Sequence, residues 1–154
     1  MIRISTILAA LLWISCSPSN GQGATSASEQ QVLAFRAAVA VGDRASVRAL
    51  FALDTDGAAA EDKDIVLGGL IRVHPRLFLQ ELRRSGHGNC RPCLEGILGN
   101  LGDEFVDRFA AQAEELGKRR QALLSVADKD LAPLRDACIR VLDDQIRQAD
   151  EQAR

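Results

Sequence analysis

Beyond Trp13 the chain holds no tryptophan, it holds no tyrosine anywhere, and after the first few residues its only threonines are Thr25 and Thr55. Aromatic and β-branched side chains favour strands because they pack well on a pleated surface. Ala, Leu, Arg, Glu and Gln, which abound here, lose little freedom in a helix. The expectation is an all-α fold, and the apolar spacing divides it into about seven helices. Val32, Phe35 and Val39 recur at helical spacing over 28–41, Gly42 stops that run, and Asp43 is placed to cap a second helix over 44–53 that puts Val47, Leu50 and Phe51 on one face. After a turn at 54–57, Ile65, Val66, Leu70, Ile71 and Val73 mark a third helix, which the Gly68-Gly69 pair is expected to interrupt unless close packing compensates. Pro75 suits the first position of a fourth helix with Leu77, Phe78 and Leu82 inward. A fifth runs over 90–101 and buries Cys93, Leu94, Ile97 and Leu98. A longer one begins around Phe105 and Val106 and runs past Gly117 to 126. The last covers 131–149, with Leu134, Cys138, Val141, Leu142 and Ile146 inward.

Connections of about two to six residues make successive helices antiparallel neighbours in helical hairpins. Helix pairs starting near 28, 61 and 90 recur at about 33 and 29 residues, in the range of helical-repeat arrays. In that style the chain resembles a short HEAT-like or tetratricopeptide-like solenoid, and the other arrangement is an irregular bundle. Either implies a face or groove offered to a partner.

The first sixteen residues bear on compartment. One positive charge at Arg3 precedes an apolar stretch over 4–14, broken only by Ser5 and Thr6, and Ser15-Cys16 closes it. This is shorter than the ~20 residues a spanning helix needs but suits the apolar region of an export signal. Leu12-Trp13-Ile14-Ser15-Cys16 resembles the lipobox of bacterial lipoproteins, with Trp13 where that pattern carries an aliphatic residue. The resemblance implies a signal peptide over 1–15 and a Cys16 that is lipidated with palmitate-type acyl chains and becomes the mature N-terminus. With Ser17 rather than Asp following, it further implies an outer-membrane anchor facing the periplasm. The alternative is an ordinary cleaved signal and a soluble periplasmic or secreted chain. Residues 16–28 then form a small, polar, flexible tether, and 29–154 a single all-α domain large enough to bury a core without staples.

With 19 Lys+Arg against 21 Asp+Glu the net charge is −2, so no basic face is expected to displace counterions from phosphates, and no nucleic-acid partner is predicted. The missing Tyr and Trp remove the rings on which sugars commonly stack, so no carbohydrate is predicted either. Asp54-x-Asp56-Gly57 does not continue as a calcium loop, whose sixth and twelfth positions would fall on Ala59 and Ile65. His74, beside Pro75 at a helix start, takes no role. No nucleophile elbow, HExxH or phosphate-cradling loop occurs, so no catalytic residue and no cofactor are expected.

One chemical cluster stands out. His87-x-x-Cys90-x-x-Cys93 lies across a loop and a helix start, and Cys138 waits in the last helix. In an oxidising envelope a disulfide among Cys90, Cys93 and Cys138 is the default. A bridge to Cys138 would pin the last helix to the middle of the domain, whereas 90 to 93 would lock one helical turn. With Cys16 lipidated, three of the four cysteines remain, so at least one is left unpaired or joined to another chain. His87, Cys90, Cys93 and Cys138 also have the residue types of a Cys3His zinc site. A thiol at a helix N-terminus has its thiolate stabilised by the unpaired N–H groups there. Pro92 makes Cys90-Arg91-Pro92-Cys93 resemble the thioredoxin-type CxxC tetrapeptide, although no βαβ unit is present to hold such a site. The expected function is therefore a non-enzymatic, envelope-anchored domain that binds another envelope protein as adaptor or inhibitor. The alternative is a periplasmic thiol-redox or zinc-binding protein using His87, Cys90 and Cys93.

Overall fold

The computed structural model describes residues 27–154; the leader, Cys16 and nearly all of the tether lie outside the described residues. The described residues form seven α-helices and no strand: α1 (Ala27–Ala40), α2 (Arg44–Ala52), α3 (Gly57–Val73), α4 (Pro75–Ser85), α5 (Arg91–Gly99), α6 (Phe109–Leu124) and α7 (Ala132–Gln152). Single 3-10 turns occupy His87–Asn89 and Asp103–Phe105. The all-α expectation holds. Among the described residues no helix is long and apolar enough to cross a membrane.

The local signals work as their chemistry dictates. Gly42 adopts φ 77°, which a residue with a Cβ rarely takes, and turns the chain out of α1. Asp43 then caps α2, its carboxylate accepting the Ser46 N–H at 2.8 Å. Pro75 opens α4, where its missing N–H costs nothing.

Helix α3 lies at the centre. It packs against α1, α2, α4, α5 and α6, while α6 and α7 form a hairpin and α5 lies against both α3 and α7. A solenoid would confine each pair to its sequence neighbours, so of the two arrangements the bundle is the one formed. The core joins Val32 and Val39, Leu50 and Phe51, Leu67 and Leu70, Phe78 and Leu82, Leu98, Leu123 and Leu142 into one apolar cluster.

Several helix limits differ from expectation: α5 stops at Gly99 rather than 101 and α6 at Leu124 rather than 126. Gly68-Gly69 does not interrupt α3, and Gly68 is where α5 and α6 both approach it closely: a Cβ there would lie 2.7 Å from the Ile97 carbonyl oxygen and against the Arg119 guanidinium. α6 begins at Phe109 rather than near Phe105, because Asp107 takes φ 58° and breaks the helical path, leaving Val106 exposed. α7 runs on to Gln152, three residues beyond the expected end at 149.

Among the described residues two charged side chains are buried, and each is held differently, Arg119 through Nη1 alone, its buried Nε having no partner. Glu81 receives Arg44 at 3.1 Å and Arg48 at 3.1 Å. The Arg48 hydrogen bond, with the nearby arginine charges, holds its carboxyl below the ordinary value despite burial. Arg119 Nη1 donates to the carbonyls of Ile97, Leu98 and Asn100 at 3.4, 2.7 and 3.2 Å, neutralising the C-terminal end of α5. Burial brings that guanidinium down to about 10.

Candidate functional site

The cysteine cluster assembles at the N-terminus of α5. Cys90 is the N-cap residue, and its Sγ accepts the Cys93 N–H at 3.3 Å. Pro92 sits in the first helical turn, where a proline is tolerated. Cys90 and Cys93 are joined as a disulfide, with Cα atoms 5.2 Å apart. Of the pairings left open by the sequence, this is the one formed. Cys138 is free and buried inside α7, and burial pushes its thiol up to about 12. The structure thus brings His87, Cys90 and Cys93 together and leaves Cys138 as part of the core. Among the described residues no group of three or more His, Cys, Asp and Glu is placed to hold a metal ion.

Beside the disulfide is a cavity of about 170 Å3, lined by Phe51 of α2, Lys63, Asp64 and Leu67 of α3, His87, and Cys93 and Ile97 of α5. Its walls are fixed. The His87–Asn89 turn packs on α7, where a Cβ at Gly88 would lie 2.6 Å from Leu134 Cδ1. The His87 ring stands 6.0 Å from the Phe51 ring. Desolvation, with the Lys63 charge, lowers its basicity, and its buried Nδ1 has no hydrogen-bond partner among the described residues. Lys63 Nζ donates to the Leu53 carbonyl at 3.0 Å, which fixes a cation at the end of α2.

Asp64 was missed in the sequence. Its carboxylate lies over α5 at Gly96, where a Cβ would come within 2.6 Å of Oδ2. Gly96 is three residues along α5 from Cys93, so Asp64 approaches the face of the helix that carries that sulfur. No hydrogen bond or ion pair among the described residues holds the carboxylate. Desolvation, opposed by the Lys63 charge, raises it to about 6. The signal was present: Ala60, Asp64, Leu67 and Ile71 share one helical stripe, and a carboxylate in an apolar stripe is a group to explain.

Fold and site together define an all-α bundle that carries a helix-capping CxxC disulfide next to a small cavity of titratable groups. No family model, curated protein or solved structure matches the chain.

Proposed function

We propose that the chain is an envelope protein, anchored in the outer membrane through a lipid on Cys16 and facing the periplasm, whose Cys90–Cys93 disulfide exchanges with the thiols of a partner protein. The observation that carries this reading is the pairing of Cys90 with Cys93 at a helix N-terminus, at a sequence separation of 3. Loop closure assigns so short a bridge about 2 kcal/mol, against about 4 kcal/mol for a bridge from either residue to Cys138. The pairing is the one that contributes least to holding the domain together, and it lies where a released Cys90 thiolate would be stabilised by the unpaired N–H groups of α5. The test is Cys90→Ser. Folding stability should fall by no more than about 2 kcal/mol, since Ser is itself a good N-cap. Cys93→Ser, which leaves Cys90 free, should trap a disulfide-linked partner from the envelope that the double variant does not. A large stability loss with no mixed disulfide would make the bridge structural.

A second reading, a domain that binds an envelope partner without covalent chemistry, is favoured by an open groove of about 780 Å3 between the start of α4 and the loop that joins α6 to α7. Its walls include Arg44, Val73, Pro75, Leu77 and Val126. Val73 on its rim is 58% exposed. Val73→Asp should abolish in-cell crosslinking to that partner while leaving Cys90–Cys93 exchange unchanged.

A further inference from the structure

Resting on the exchange reading, we propose that Asp64 is the proton carrier of the Cys93 sulfur, donating as the disulfide opens and accepting as it closes.

Only Cys93 of the pair lines the cavity that Asp64 lines; Cys90 lies outside it, at the helix cap. In this scheme the incoming thiolate attacks Cys90, the sulfur that does not line the cavity. The new sulfur–sulfur bond forms to Cys90 Sγ, the Cys90–Cys93 bond breaks, and its electron pair leaves on Cys93. That leaving thiolate is released into a half-buried cavity, where an unprotonated sulfur is costly. A proton from the Asp64 carboxyl, transferred directly or through one water, converts it to a thiol. A second thiol of the reducing partner then attacks the mixed disulfide and frees Cys90. The net change is one protein disulfide reduced and one partner dithiol oxidised. In the reverse direction the Asp64 carboxylate takes the Cys93 proton as that sulfur attacks the mixed disulfide.

Several observations support a chemical rather than a structural role. Among the described residues Asp64 forms no hydrogen bond or ion pair, in contrast to Glu81, which two arginines hold. Burial raises its carboxyl to about 6, so both protonation states are populated near neutral pH. Gly96 leaves open the space over α5 that a Cβ would take from the carboxylate. The titratable groups that share the cavity are Lys63 from the same helix, His87 from the 87–89 turn, and Cys93. α2 contributes Phe51 and α5 otherwise Ile97.

The experiment is the rate of disulfide reduction in the full chain by dithiothreitol, expressed per dithiothreitol thiolate, from pH 5 to pH 8. The wild-type rate should be at least tenfold higher at the acid end, with an inflection near pH 6. Asp64→Asn, folded as judged by circular dichroism, should be slow and flat across the range. Lys63→Gln removes a charge that favours the carboxylate, so its inflection should move to higher pH; this variant tests the same assignment should Asp64→Asn fail to fold. A wild-type profile without the inflection, or an Asp64→Asn profile that matches wild type, overturns the role of Asp64 while leaving exchange itself intact. A wild-type disulfide that yields only after the domain is unfolded in urea instead overturns the exchange reading, and this proposal with it.

Discussion

Adjacent glycines in α3 should respond to alanine with opposite signs. In a helix interior, alanine gains roughly 1 kcal/mol over glycine, through the smaller entropy it loses on folding. At Gly69, exposed and with no atom within 4 Å of a Cβ, nothing opposes that gain. At Gly68 the Cβ would lie 2.7 Å from the Ile97 carbonyl oxygen and 2.8 Å from Arg119 Cζ. The carbonyl belongs to α5 and cannot retreat alone, and the guanidinium is tied to three backbone oxygens. Relief needs either α5 displaced, an overpacking cost of about 1–3 kcal/mol, or a charge-assisted hydrogen bond lost, about 1.5–3 kcal/mol. Net of the helical gain, Gly68→Ala should lose roughly 1 kcal/mol and Gly69→Ala should gain roughly 1 kcal/mol. In a domain of this size each kcal/mol moves the Tm by about 4 °C, so the two variants should differ by about 8 °C. The described domain lacks Tyr and Trp, so unfolding is best followed by circular dichroism at the helical band, in heat and in urea. Equal stabilities within about 0.5 kcal/mol would refute the close meeting of α3, α5 and α6.

Other outcomes follow from individual groups. Iodoacetamide should leave Cys138 unmodified in the native protein and label it in urea, because burial keeps its thiol protonated; native labelling, read by mass, would contradict its place in the core. Glu81→Gln should cost about 1–3 kcal/mol, since Arg44 and Arg48 lose a charged acceptor. The folded carboxyl of Glu81 lies below its ordinary value of 4.5, so its stabilisation is fully present above that pH and is lost as pH falls below it; the acid limb of the wild-type stability curve should therefore be steeper than that of Glu81→Gln. Asp64 works in the opposite sense: raised from 3.8 to about 6, it makes the fold lose stability as pH rises through that window. Because the carboxylate is partly solvated, the loss should be about 1 kcal/mol, and Asp64→Asn should abolish it in urea titrations at pH 4 and pH 7.

Helix identity was largely legible because it rests on short-range rules. Gly42, Asp43 and Pro75 act within a turn of themselves, so the limits of α1, α2 and α4 follow from the residues at their ends. What failed depended on partners distant in sequence. Gly68-Gly69 reads as a break by propensity alone, and only the approach of α5 and α6 shows why small residues are needed there. The start of α6 was misplaced because Phe105 and Val106 continue the apolar pattern, while Asp107 reverses the chain through a backbone angle that its residue type only weakly suggests.

The same distinction governs the site. His87, Cys90 and Cys93 could be read as one cluster because three residues separate each from the next, but the choice among cysteine pairings depends on where α7 lies. Asp64 sits a whole helix away from them, and its clue is of another kind: a charge on the buried stripe of an amphipathic helix. Two other charges turned into the bundle are fully buried among the described residues. Glu81 is held by two arginines, and Arg119 caps the end of α5. Asp64 is half-buried and partly desolvated, and among the described residues it lacks the hydrogen bonds that hold the other two. An uncompensated carboxylate is a standing cost, which Asn or Leu at that position would remove. Its place against the sulfur-bearing face of α5 gives that cost a chemical reason, and the pH profile of disulfide reduction measures whether the reason is the right one.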